Sequence, residues 1–117
     1  MTIAVTGATG FVGQALLDRA ARAGVEVRAL TSLPQDPRPG VDWIKGDLDA
    51  RAALTRLVTG AEAVIHVAGV VNAPDAAGFE HGNVAGTLNV IEAALAAGVS
   101  RFVCVSSLSA RETDLSA

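Results

Sequence analysis

Thr6-Gly7-Ala8-Thr9-Gly10-Phe11-Val12-Gly13 is the stretch that decides how this chain folds. It follows a short apolar, partly β-branched run, Ile3 to Thr6, which reads as a buried strand. Beyond it Phe11, Val12, Ala15, Leu16, Ala20 and Ala23 recur at helical spacing, and Gly24 stands where a helix would stop. In such a strand–turn–helix each glycine has a task. Gly7 lets the backbone turn where a Cβ would clash. Gly10 lets the main chain come close to a phosphate-bearing ligand, and Gly13 lets the helix lie tight on the strand. Free N–H groups at the helix start, reinforced by its dipole, form an anion site. The spacing alone is a weak signal, and glycines serving only a tight turn are the plainer alternative. Its setting between strand and helix, at the head of an alternating chain, gives it weight.

The alternation continues outward from that turn. Val25 to Leu30 makes a second strand, and Pro34, Pro37, Pro39 and Gly40 mark a loop that excludes helix. Val41 to Lys45 is a brief third strand, followed by Gly46, Asp47 and a helix from about Ala50 to Val58. Ala63 to Val67 is the fourth strand. A stretch with Pro74 and Gly78 leads into a long helix at 83–97, from about Asn83 to Ala97, closed by Gly98. Arg101 to Val105 is the fifth strand, ending in Ser106 and Ser107 before a polar segment to Ala117. Right-handed crossovers then give an α/β fold, a doubly wound parallel sheet of order 3-2-1-4-5 with helices on both faces. Its ligand crevice lies at the carboxyl ends of the first and fourth strands.

Composition bounds the function. At 117 residues the chain makes one domain with a core that needs no metal or disulfide. A net charge of −3 with both signs scattered argues against a nucleic-acid partner, which requires a clustered basic patch. No run approaches the ~20 apolar residues of a membrane span, and no basic leader precedes a cleavage site, so cytoplasmic residence is the default. The one cysteine, Cys104, lies in the apolar fifth strand and is expected to be a buried core thiol. Two distant histidines give it no metal set: His66 is expected in the strand core and His81 in a solvated loop. Trp43 is read as a core or rim side chain. The long helix carries an apolar stripe of Val84, Leu88, Ile91, Leu95 and Ala96, most of it expected in the core.

The turn resembles the T-G-x-x-G-x-x-G of short-chain dehydrogenases/reductases, and of their extended branch, the NAD-dependent epimerase/dehydratase group, in particular. Four further segments match in order: Gly46-Asp47-Leu48, Val64-Ile65-His66-Val67-Ala68-Gly69, Asn83-Val84-Ala85-Gly86-Thr87 with Leu88-Asn89-Val90, and Arg101 to Ser107. The resemblance implies a Rossmann fold binding NAD or NADP. Gly7, Ala8, Thr9, Gly10, Phe11, Val12 and Gly13 would cradle the pyrophosphate. Asp47 and the Leu48 backbone would contact adenine, with a helix N-cap as the rival role for Asp47. Val67, Ala68 and Gly69 would lie under the cofactor, while Asn83 is either a cofactor contact or an N-cap. Ser106 would neighbour the cofactor. Self-association through the helix at 83–97 is also implied.

Enzymes of this group pair a serine at the end of the fifth strand with Tyr-x-x-x-Lys. The tyrosine moves a proton, the lysine lowers its pKa, and the serine orients the reacting oxygen. Ser107 matches that catalytic serine. The chain contains no tyrosine, and its single lysine, Lys45, is on the wrong strand. It therefore reads as an N-terminal part, inactive by itself and truncated before the substrate-binding portion. Ser32, at the end of the second strand, is neither the acid that favours NAD nor the arginine that favours NADP. Arg38 could swing in from the proline loop, whereas Arg28 is expected along the strand face. The reading favours NAD. The function implied is hydride transfer on a hydroxy or keto small-molecule substrate, with a nucleotide-sugar among the candidates. A non-catalytic dinucleotide sensor or assembly subunit is the alternative.

Overall fold

A computed structural model describes residues 1–67 and 76–105, with side chains for 1–67 and 85–105. Its elements are β1 (Thr2–Thr6), α1 (Phe11–Ala23), β2 (Glu26–Thr31), β3 (Val41–Lys45), α2 (Arg51–Val58), β4 (Ala63–Val67), α3 (Ala76–Ala96) and β5 (Arg101–Val105). The five strands are all parallel, in the order β3-β2-β1-β4-β5. This is the expected doubly wound Rossmann arrangement. In-register pairing sets Ala4 against Arg28 on one side and Val64 on the other, so the side chains of neighbouring strands share faces.

That two-residue period divides the core. Ala4, Leu30, Val64 and Phe102 face α2 and α3, where Leu54, Leu57, Val58, Val90 and Ala94 meet them. Ile3, Val5, Val27 and Ala29 face α1, against Leu17 and Ala20. Leu17, Leu54 and Leu57 are fully enclosed, and truncating such a side chain to alanine costs about 2–5 kcal/mol. Trp43 packs half-buried on the α1 side and donates its indole N–H to the Asp36 carbonyl (3.2 Å), which makes it a rim residue. Arg28 reaches under α2 and donates to the carbonyls of Arg56 (3.0 Å), Leu57 (3.2 Å) and Thr59. A guanidinium there satisfies orphan carbonyls and opposes the negative end of the helix dipole.

Several expectations need correction. The helix α3 starts at Ala76 rather than near Asn83, because Ala76, Ala77 and Glu80 favour helix strongly enough to carry Gly78. Asn83 is therefore interior to α3 and not its N-cap. Inward-facing positions of α3 are Gly86, Val90 and Ala94, while Leu88 and Leu95 are 53% and 72% exposed. Small residues let the helix approach the sheet closely, and that close approach sets its rotation rather than the bulk of its leucines. On α1 the buried line is Gly13, Leu17 and Ala20, with Phe11 92% exposed at the helix start. Cys104 is exposed, not buried: among the described strands β5 lies at the edge of the sheet, and of its residues only Phe102 packs against the core.

One polar link crosses the core. His66 is buried at the end of β4; its Nδ1 meets Thr6 Oγ1 at 2.5 Å and its Nε2 meets Thr87 Oγ1 at 2.9 Å. Strand β1, strand β4 and helix α3 are thereby joined through one imidazole, the structural histidine expected at that position. One ring nitrogen donates and the other accepts, and the two hydroxyls rotate to suit. Burial lowers the His66 pKa below its ordinary value. The folded state then binds the proton less readily than the unfolded chain, whose imidazole titrates near ~6.5. Stability should be unaffected by this group above that pH and fall below it, by up to ~1.4 kcal/mol per pH unit. Urea midpoints at pH 7.5 and 5.5 should show the loss in the wild type and a smaller one in His66→Gln. Equal losses in both proteins would assign the acid sensitivity elsewhere.

Candidate dinucleotide site

The glycine turn is built from close backbone approaches. Gly7 has φ +72°, and a Cβ there would stand 2.6 Å from the Val67 carbonyl oxygen and 2.9 Å from Val67 Cβ. A Cβ on Gly13 would fall 2.2 Å from the Gly7 carbonyl oxygen and 2.5 Å from Ala8 Cα. Both glycines are required by the fold itself. Gly10 is different. It is the N-cap of α1 with φ −81° and ψ −179°, a conformation open to any residue, and its nearest neighbour for an added Cβ is 3.7 Å away. Neither strain nor packing calls for glycine at that place. The N-cap supplies no side chain to the helix, and the first turn of α1 carries no acidic residue. Its opening N–H groups are accordingly neither capped by Gly10 nor shadowed by a carboxylate, the arrangement that receives an anion.

A cleft of about 240 Å³ opens beside this turn, at the carboxyl ends of β1 to β4. Thr6, Gly7, Thr9, Ser32, Asp47, Leu48, His66 and Val67 contribute to its wall. Six of these, Gly7, Thr9, Ser32, Asp47, Leu48 and Val67, are among the sequence-predicted contacts, gathered here from four strand ends. Ala8 is buried behind the turn, while Phe11 and Val12 are exposed and do not contribute to the cleft wall. Larger hollows of about 400 and 620 Å³ lie at the amino ends of β1–β3 and beside the β3 edge. Neither meets the glycine turn, and ligands of open α/β sheets enter at the carboxyl ends.

Asp47 is exposed and precedes α2 without capping it; the N-cap is Ala50. The Asp49 N–H donates to Asp47 Oδ1 (2.9 Å), an Asx turn that orients the carboxylate. Ser32 is exposed at the end of β2, and among the described residues that line the cleft the charged side chain is Asp47, at the end of the neighbouring β3. Arg38 is held against α1, pairing with Asp18 and donating to Gln14 Oε1 (3.0 Å). Arg28 serves α2 and takes no part in the cleft. Ala68, Gly69, Ser106 and Ser107 lie outside the described residues, as does the side chain of Asn83. Sequence reasoning missed Asn89, whose Nδ2 donates to the Leu48 carbonyl (2.8 Å).

The comparisons with known proteins agree with this geometry. A model of the NAD dependent epimerase/dehydratase family matches residues 3–112. A ceramide reductase of Caulobacter vibrioides is 45% identical over 97% of this chain, and a 2-alkyl-3-oxoalkanoate reductase of Stenotrophomonas maltophilia is 39% identical over 91%. The chain spans 37% and 33% of their lengths, respectively. Among solved structures, uronate dehydrogenase of Agrobacterium tumefaciens superposes with a TM-score of 0.76 at 31% identity, over 91% of this chain and 40% of that one. A variant of that enzyme has been solved in complex with NAD. With a glycine turn, a strand-end cleft and a matching family model over nearly its whole length, the chain belongs to the NAD dependent epimerase/dehydratase family.

Proposed function

We propose that this chain is the dinucleotide-binding part of an oxidoreductase that interconverts a hydroxyl and a carbonyl on a small-molecule substrate, with NAD or NADP as hydride carrier. The observation that carries the reading is Gly10: a glycine required by neither strain nor packing, at the start of an uncapped helix, beside the cleft. A ligand pressed against the backbone there explains it. When bound, the nicotinamide supplies the hydride chemistry; the chain's residues hold and orient it. The first turn of α1 receives the pyrophosphate, Ser32 lies beside the ribose, and Asp47 with the Leu48 backbone faces adenine. Ser107 orients the reacting oxygen. The reductase names of relatives at 45% and 39% identity favour carbonyl–hydroxyl redox over epimerisation or dehydration. Ser32 offers no charge to discriminate a 2′-phosphate, and the NAD complex of the structural neighbour favours NAD.

Calorimetric titration tests the site. Gly10→Val should lower the urea midpoint only modestly, as an unfavourable N-cap residue does, and weaken NAD at least about tenfold, ~1.4 kcal/mol. Gly13→Ala should instead lower stability by about 1–3 kcal/mol, as overpacking does. For the wild type, NAD and NADP affinities should fall within about tenfold of each other, ~1.4 kcal/mol. A folded Gly10→Val protein with unchanged affinity for both cofactors would remove the basis of the reading.

The whole protein that carries this chain should show NAD(P)-dependent carbonyl reduction, and Ser107→Ala should cut its turnover by ~10²–10⁴-fold while leaving cofactor affinity unchanged. Turnover unaffected by that substitution would dismiss Ser107 from the chemistry. Self-association through α3 is part of the same proposal, supported by the exposure of Leu88 and Leu95 on one helix. Sedimentation of a Leu88→Glu, Leu95→Glu protein should report monomer where the wild type reports dimer; a dimer in both would move the interface elsewhere.

A further inference from the structure

Helix α3 grips the β3–α2 turn at two points. Asn89 Nδ2 donates to the Leu48 carbonyl at 2.8 Å and reaches Asp49 Oδ1 at 3.5 Å. One helical turn earlier, Gly86 is buried, and a Cβ there would stand 2.6 Å from Leu48 Cδ1 and 3.3 Å from Leu48 Cβ. The helix backbone thus lies directly on the Leu48 side chain while the amide holds the Leu48 main chain. The two contacts fall on one face of α3, as residues three apart must.

Two main-chain hydrogen bonds also hold the gripped turn, from the Gly46 N–H to the Thr31 carbonyl (2.8 Å) and from the Ala50 N–H to the Asp47 carbonyl (3.1 Å), but no side chain outside α3 bonds to Leu48 among the described residues. Ala50, the N-cap of α2, offers no side-chain cap. Asp47 is exposed and anchored through Oδ1 to the Asp49 N–H within the same turn, so wherever Leu48 moves, Asp47 moves with it. Asp47 and Leu48 form the β3-side wall of the cleft. In a dinucleotide laid across the sheet with its pyrophosphate on the glycine turn and its ribose at the end of β2, that wall is where the adenine ring arrives.

We propose that Asn89 and Gly86 are positioning residues for the adenine half of the cofactor: they act through Leu48 to hold the Asp47 carboxylate and the Leu48 N–H at the height of the ring. This rests on the dinucleotide reading above. The residue types suit the role. An asparagine donates to a carbonyl without bringing charge beside the Asp49 carboxylate, and an aspartate in its place would face two acceptors with none to donate. Glycine at 86 admits Leu48 to the helix backbone; alanine would push the Leu48 side chain outward.

The experiment compares two probes that share only part of the cofactor: adenosine monophosphate, which needs the adenine wall, and inorganic pyrophosphate, which needs only the glycine turn. Asn89→Ala should weaken adenosine monophosphate and NAD alike, by about 2- to 12-fold for one net hydrogen bond, and leave pyrophosphate unchanged. Hydrogen exchange should quicken in residues 46–49 and stay unaltered in β1 and β2. Asn89→Gln, which keeps the amide, should recover part of the affinity. Gly86→Ala is the second variant, since its added methyl meets the end of a flexible side chain and the protein should fold; it should show the same selective loss. Unchanged adenosine monophosphate affinity despite faster exchange at 46–49 overturns the proposal, and so does an equal loss for both probes. A wild-type protein that binds pyrophosphate but neither NAD nor adenosine monophosphate overturns the dinucleotide reading itself. Exchange at 46–49 would then still respond to Asn89→Ala, separating that failure from this one.

Discussion

Where β1 gives way to α1, three stretches of main chain come within contact distance of one another. The Gly7 backbone lies against Val67 of β4, and Gly13 of α1 lies against Gly7 and Ala8. A single added methyl would meet an oxygen at 2.6 Å in the first case and 2.2 Å in the second. This absence of side chains lets α1 sit directly over the sheet, so that Leu17 and Ala20 reach Ile3, Val5 and Val27. The same approach draws the end of β4 beside the end of β1, which opens the cleft on the carboxyl side. Fold and site share one constraint.

His66 reinforces that junction from the opposite face of the sheet. It ties Thr6, the residue before Gly7, to Thr87 on α3, so the helix that closes the α2 side of the core also steadies the strand that launches the glycine turn. With Asn89 gripping the β3–α2 turn and Thr87 bonded to His66, α3 contacts two of the elements that line the cleft. A helix whose sequence looks merely apolar thereby governs two of the walls a ligand would meet.

Much of the architecture was legible because parallel strands and glycine punctuation leave strong local signals: β3, β4 and β5 fall within the expected bounds, and Gly24 ends α1 in the left-handed conformation. Rotation of the helices was less legible. Phe11 and Val12 fit the helical spacing of α1, yet they are exposed and only the Gly13–Leu17–Ala20 line is enclosed. In α3 large apolar residues occur all round, and the small ones decide which face turns inward. Cys104 illustrates a further limit, since an apolar strand reads alike in the middle of a sheet and at its edge, where neighbours run out. The cleft contacts at Gly7, Thr9, Ser32, Asp47, Leu48 and Val67 were legible as motif positions, because each stands at a strand end. Asn89 stood within a matched segment, but its role was not legible, because its partner is a main-chain carbonyl 41 residues away.

The freedom of Gly10 carries an evolutionary consequence. Gly7 and Gly13 are held by the close packing of the fold itself, so their persistence in a descendant is explained without reference to what it binds. At Gly10 the backbone conformation suits any residue, and an added Cβ would make only an ordinary contact, 3.7 Å from the Gly7 carbonyl oxygen. On the dinucleotide reading, drift there is restrained by the ligand and, more weakly, by the N-cap preference for small and polar residues. A lineage that abandoned the dinucleotide while keeping the fold would lose this glycine first and its two neighbours last, so the order of loss among relatives is a record of which of them still bind.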